Sequence, residues 1–210
     1  MNVLHIDSSA LGIASASRQL SAAAVRILRD GNPDVNIVYR DFAEAPPPHL
    51  SPALVQALRP QPGAGGPRHA GELADDLHLT ETFIAEFLDA DVVVLGAPMY
   101  NFSIPSSLKA WIDRVAQAGR TFRYTDKGPI GLAGGKKVLI VSSRGGAMSG
   151  TAMEAALDHQ EAYLKAVMGF LGITDITVIR AEGLAFGPDA RKQAIDRALA
   201  ELALFSEEFV

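Results

Sequence analysis

Three short stretches hold most of the residues able to do chemistry. The first, "DSSALGIASASRQLS" (7–21), offers Ser9, then Ser15 and Ser17 on either side of Ala16, immediately before a helix-period pattern. Free amides at a helix start, the helix dipole and serine hydroxyls together make a phosphate site. The same serines also read as plain helix caps. The second, "APMYNFSIPSS" (97–107), sets Met99, Tyr100, Asn101 and Phe102 between two prolines. Pro98 ends an apolar run, and Pro105 suits the first turn of a helix, where its missing N–H costs nothing. The backbone between them must be irregular, with N–H and C=O groups facing outward. Such groups suit a flat heteroaromatic ring with alternating donors and acceptors, and the aromatic side chains offer stacking faces. The third, "SSRGGAMSG" (142–150), brings Gly145 and Gly146, which let backbone approach closely, and Ser143 followed by the Arg144 guanidinium, which suits ligand oxygens. Taken singly, Tyr100 and Phe102 also read as core aromatics, and the two glycines as a plain turn.

What positions these stretches is an alternation of strand and helix patterns. "NVLHID" (2–7), "VNIVYR" (35–40), "DVVVLGAP" (91–98), "KVLIVSSRGG" (137–146) and "DITVIRAEG" (175–183) read as five strands. Helix-period segments lie near 17–30, 80–90, 105–118, 154–171 and 189–206. "VVVL" and "VLIV" are apolar at every position, as expected of parallel strands covered on both faces. The fold class expected is α/β: a three-layer, doubly wound domain with right-handed crossovers, spanning 1–210 without a second domain. In such sheets ligands bind beyond the carboxyl ends of the strands, which is where the three stretches fall. One segment breaks the rhythm. Residues 43–73 carry seven of the twelve prolines and a glycine-rich patch, and read as a lid-like excursion in which "PALVQALR" forms a helical turn or two.

Several chemistries are excluded or disfavoured. There are no cysteines, which removes disulfides, thiolate metal sites and a cysteine nucleophile. No G-x-G-x-x-G follows the first strand. "GLAGGKKV" (131–138) resembles a Walker A loop but has the wrong spacing, and Lys137 stands where Ser or Thr is needed, so it is read as a turn into the fourth strand. Neither G-x-S-x-G nor H-E-x-x-H occurs, and the five histidines lack metal-ligand spacing. Net charge is −5, with scattered Lys and Arg, so nucleic acid is not an expected partner. "MNVLHIDSS" lacks the features of a signal peptide and no stretch reaches membrane-span length, so no membrane is expected and a cytoplasmic location is.

The chain resembles the FMN-dependent NADH-azoreductases, also called FMN-dependent NADH:quinone oxidoreductases, of the flavodoxin-like fold. The resemblance is carried by the early serine loop, "ALRP" (57–60), "APMYNF" (97–102), "LKAWIDRVAQAGRTFRYTDKGPIGL" (108–132), "SSRGG" (142–146), "FLGITDI" (170–176) and "AEGLAFGP" (181–188). It implies a central five-stranded parallel sheet with FMN bound by Ser9, Ser15, Ala16 and Ser17 at the phosphate. Met99, Tyr100, Asn101 and Phe102 would line the isoalloxazine, and Ser143, Arg144, Gly145 and Gly146 its other edge. Asn101, Tyr124 and Phe170 are implied as catalytic, and Arg59, Phe102, Tyr124 and Phe170 as substrate or nicotinamide contacts. The activity implied is two-electron, ping-pong transfer from NADH or NADPH through FMN to quinones and azo compounds, azo bonds being cleaved to amines. A homodimer is implied as well, with Trp111 and Phe122 readable as interface anchors or as core. The longer, Gly/Pro-rich stretch from residue 59 departs from the family pattern and bears on acceptor range and on the choice of NADH or NADPH.

Overall fold

Odd and even positions of the central strands go to opposite faces, and each face meets its own helices. In strand β3 (Val92–Pro98), Val92 and Val94 join one apolar cluster, while Val93, Leu95 and Ala97 join another. The computed structural model describes residues 1–58 and 70–205. Among them, β1 (Asn2–Asp7), β2 (Asn36–Asp41), β3, β6 (Lys137–Ser143) and β7 (Asp175–Ala181) form a parallel sheet in the order β2-β1-β3-β6-β7. A separate antiparallel hairpin joins β4 (Phe122–Thr125) to β5 (Gly128–Gly131). This is the flavodoxin-like α/β architecture.

Helices α1 (Ala16–Gly31) and α7 (Pro188–Phe205) cover one face, burying Leu20, Ala24, Leu28, Ala198 and Leu202. The opposite face packs against α3 (Ala70–Asp89), α4 (Ser106–Val115) and α6 (Glu161–Phe170) through Phe83, Phe87, Leu108, Trp111 and Leu164. Trp111 is 1% exposed and Phe122 4%, so both are core residues and neither is an interface anchor.

Besides the β4–β5 hairpin, which the sequence reading did not anticipate, three elements differ from it. Helix α3 begins ten residues before the expected start near 80, inside the stretch assigned to the excursion. The helix expected over 154–171 is two, α5 (Ala152–Leu157) and α6, because Asp158 Oδ1 accepts from the Gln160 and Glu161 amides and starts a new helix. Pro105 is the residue before α4 rather than its first member, with extended ψ of 144°. The first part of the excursion is anchored. Its helix α2 (Pro52–Leu58) buries Leu54, and the fully buried Arg114 donates to the Pro48 carbonyl from Nε (2.9 Å) and Nη2 (2.7 Å). Residues 59–69, and with them Arg59, lie outside the described residues.

The hairpin is seated main chain to main chain. A Cβ on Gly131 would lie 2.1 Å from the Gly172 amide nitrogen, so only glycine permits this approach. An edge-on stack of Phe122 with Tyr124 (5.4 Å) and a tilted one with Phe170 (4.6 Å) complete the seat.

Candidate functional site

The carboxyl ends of β1, β3 and β6 meet around a cleft of about 220 Å³. Its lining includes Ser9, Ser15, Ala16, Met99, Tyr100, Ser143, Arg144 and Gly145, together with Leu11, Pro98, Leu184, Ala185 and Arg191. A larger groove, about 600 Å³, lies at the amino end of the sheet, but its polar groups satisfy one another, as where Asn2 Nδ2 donates to Asp89 at 2.9 Å. Chemistry in a parallel sheet belongs at the carboxyl end, and the smaller cleft is there.

One wall is the start of α1. Ser15 caps the helix, its Oγ accepting from the Arg18 amide at 3.2 Å, and lies 3.0 Å from Ser17 Oγ. The capping reading therefore holds, and it leaves the Ala16 and Ser17 amides without intrahelical acceptors, as at any helix start. Ser17 is fully buried behind the cleft lining.

The second wall is a tight turn. Tyr100 and Ser103 exchange backbone hydrogen bonds of 2.9 and 3.1 Å, which forces Asn101 and Phe102 into left-handed conformations at φ 48° and 71°. Asparagine tolerates this region, but phenylalanine there is strained by about 1–2 kcal/mol. Both residues are exposed, and their amides donate to nothing else among the described residues. Tyr100 leans back across the first wall, its Oη accepting from the Ala10 amide at 2.9 Å. Met99 is fixed by donating to the Ser143 carbonyl at 2.7 Å.

The third wall is the turn after β6. Gly145 and Gly146 are exposed and their carbonyls accept from the Ala185 and Gly183 amides, pairing this turn with the stretch after β7. Arg144 corrects the sequence reading. Its guanidinium does not reach outward for ligand oxygens: Nη1 is bound to Asp158 (3.1 Å), and Nη2 to Glu161, Ser142 Oγ (3.0 Å) and Gln160 Oε1 (3.3 Å). Only its Nε lacks a partner.

Asn101, Phe102 and Gly146 are not part of the cleft lining, and Tyr124 and Phe170 gather instead around Phe122, with Tyr124 73% exposed. The sequence reading missed Arg191, which lines the cleft and donates from Nη2 to the Ala14 carbonyl at 2.6 Å. An arginine in the first turn of the last helix carries no local signal of that placement. It also missed the Asp158–Glu161 segment, hidden inside an apparently continuous helix. Among the described residues no group of acidic, histidine or cysteine side chains is arranged to hold a metal.

The chain matches the flavodoxin-like fold family over residues 1–204. It is 56% identical over 202 residues to an FMN-dependent NADH:quinone oxidoreductase of Azospirillum brasilense, covering 96% of each chain. Identity to the enzyme of the same name from Ralstonia nicotianae is also 56%, over 96% of this chain and 95% of that one. The crystal structure of an azoreductase from Bacillus anthracis str. Sterne superposes with a TM-score of 0.86 at 28% identity, covering 99% of both chains. With this cleft at the carboxyl ends of its sheet, the chain belongs to the family of FMN-dependent NADH:quinone oxidoreductases of the flavodoxin-like fold.

Proposed function

We propose that the protein is an FMN-dependent NADH:quinone oxidoreductase that also reduces azo compounds, with FMN held in the cleft between β1, β3 and β6. The observation that carries this reading is the meeting, in one cleft, of a helix start flanked by buried hydroxyls with the two turns that bring Met99 and Tyr100, and Ser143 to Gly145, to its lining. A phosphate suits the first of these features, and a flat ring with edge acceptors suits the other two.

Bound FMN supplies the two-electron chemistry. Ser15, Ala16 and Ser17 bind its phosphate with Ser9 beside them, and Met99, Tyr100, Asn101 and Phe102 orient the ring. Arg144 acts through its backbone and through the turn it anchors. Asn101 and the amides of Phe102, Gly145 and Gly146 place donors where negative charge develops, the preorganised arrangement that stabilises it most. Phe102, Tyr124 and Phe170, with Arg59, receive the nicotinamide and then the quinone or azo acceptor in turn. One shared place for donor and acceptor gives ping-pong kinetics, and two cycles are needed to split an azo bond into amines.

The working form is a homodimer located in the cytoplasm. The cleft is smaller than the roughly 300–1,000 Å³ usual for small-molecule sites. Leu11 in its lining is 63% exposed and nearby Ile13 101%, which leaves apolar surface for a second copy to cover. A chain without cysteine needs no oxidising compartment. Among the described residues no helix is long and apolar enough to cross a membrane.

The test is anaerobic absorbance of FMN-reconstituted protein. NADH should bleach the yellow protein and benzoquinone should restore it. Bound FMN that NADH does not bleach would make the protein an electron carrier or sensor, and protein that takes up no FMN would remove the cleft assignment. Asn101→Ala should lower flavin affinity and turnover, and wild-type values for both would strip Asn101 of its role. Sedimentation of a fully active single chain would remove the dimer.

A further inference from the structure

The densest set of buried polar groups that the proposed reaction leaves unused lies between α5 and α6. Asp158, Gln160 and Glu161 are 8%, 0% and 2% exposed, and none of them lines the cleft. Each nevertheless grips a loop that does. Gln160 Nε2 donates to the Ala97 carbonyl at 2.6 Å, at the end of β3, while its Oε1 accepts from Ser142 Oγ at 2.9 Å and Arg144 Nη2 at 3.3 Å, at the end of β6. The His159 amide donates to the Phe102 carbonyl at 3.0 Å, restraining the residue held at φ 71°. Asp158 Oδ2 and Glu161 Oε1 hold the two ends of the Arg144 guanidinium. Arg180 closes the set from β7, its Nη2 donating to Glu161 Oε2 at 2.6 Å.

Filling the core does not require such a set. Apolar side chains of similar volume fill buried space without the desolvation that carboxylates, guanidinium and amide all carry. What the set adds is direction, because hydrogen bonds fix relative placement where apolar contacts permit sliding. A left-handed phenylalanine in particular persists only where its surroundings over-determine it.

We propose that Asp158–Glu161 is a positioning unit for the cofactor, with Gln160 setting the placement of the 97–103 turn relative to the 142–146 turn. Losing that link lowers FMN affinity and changes the bound flavin's potential in a protein that is still folded. This rests on the FMN reading of the cleft.

The experiment compares wild type with Gln160→Glu, which keeps the acceptor for Ser142 and Arg144 but sets a charged carboxylate oxygen against the Ala97 carbonyl in place of the amide donor, and with Gln160→Leu, which removes both links without adding charge. Hydrogen exchange on the apo forms comes first: the hydrogen-bonded amides of Met99, Tyr100, Ser103 and Arg144 should exchange faster together in Gln160→Leu, with α1 and α7 unchanged. FMN titration by fluorescence quenching should then show affinity about tenfold weaker in Gln160→Glu and weaker again in Gln160→Leu, with the midpoint potential displaced in both. Variants that melt lower yet keep wild-type affinity and potential overturn the proposal, because a filling role alters stability and nothing else. If Gln160→Leu does not fold, Ser142→Ala takes its place, since the Ser142 hydroxyl bonds both Gln160 and Arg144. It should weaken FMN about threefold, and no change overturns the proposal. Wild-type protein that binds no FMN overturns the reading of the cleft instead, and the apo exchange rates then decide alone whether Gln160 couples the turns.

Discussion

Arg18, in the first turn of α1, and Arg144, in the turn after β6, both turn their guanidinium into carboxylates, but of the two only Arg144 lines the cleft. Their Nε atoms are the two buried side-chain polar atoms left without a partner among the described residues. Their surroundings differ. Arg18 is 21% exposed, chelates Asp41 (2.9 Å from Nη2 to Oδ1) and donates to Tyr39 Oη at 2.7 Å, tying α1 to the edge strand β2. Arg144 is 1% exposed, sits at the end of the central strand β6 and answers to Asp158, Glu161 and Gln160. Water can replace the partners of the first and cannot reach those of the second. The difference teaches that one residue type with one kind of partner tethers an edge in the first case and fixes a site in the second, according to what solvent can repair.

The largest expected separation comes from removing the cations. Arg144→Met strands Asp158 and its neighbours without their counter-charge and should cost about 3–5 kcal/mol in urea unfolding. A loss no greater than that of Arg18→Met would make the two sites equivalent. Gly96→Ala comes next: the new Cβ would lie 2.2 Å from Asp7 Oδ1, a carboxylate that accepts from Ser21 Oγ at 2.7 Å and Tyr39 Oη at 3.1 Å. About 1–3 kcal/mol of overpacking should appear as a lowered melting temperature, and an unchanged one would show that the Arg18 side yields freely. Arg18→Met should cost about 1 kcal/mol or less, checked by the same unfolding curve, because its pairs are part-exposed.

The smallest effect is in pH. The Arg18 hydrogen bond, with help from the Ala43 amide, holds the Asp41 carboxyl below its ordinary value against a contrary push from burial. A depressed carboxyl stabilises the fold above its unfolded pKa, and that stability is lost as pH falls through the folded value. Asp41→Asn should therefore be less stable than wild type at neutral pH and converge with it in acid. A gap that stays constant down to pH 2 would show that the pair contributes no titrating stability.

The sheet was legible because its strands are buried on both faces, so "VVVL" and "VLIV" carry their assignment in every residue. The β4–β5 hairpin was not, because of its residues only Phe122 and, in part, Thr125, Gly128 and Gly131 leave solvent, and no alternation emerges. The cleft loops were legible for a chemical reason: serine, glycine and aromatic residues collect where strands end. Two things escaped. The direction of the Arg144 side chain is decided by Asp158, Gln160 and Glu161, residues that look like ordinary helix until Asp158 interrupts the helix. The left-handed pair Asn101-Phe102 has no glycine to announce it, since the turn is imposed by its two closing hydrogen bonds and by the His159 amide.

The mount of the hairpin carries a consequence for how such a protein can change. Gly131 lies against the Leu171–Gly172 main chain, so the tilt of the hairpin is set by peptide planes rather than by any side chain. Tyr124 stands on the adjoining strand, largely in solvent, and its ring meets Phe122 edge-on, so exchanging it leaves the Gly131–Gly172 main-chain contact in place. If Tyr124 meets the acceptor as proposed, selection on what enters the site and selection on keeping the protein folded fall on different positions of one hairpin. On the role proposed for Tyr124, a new acceptor preference arises at residue 124 while residue 131 stays glycine.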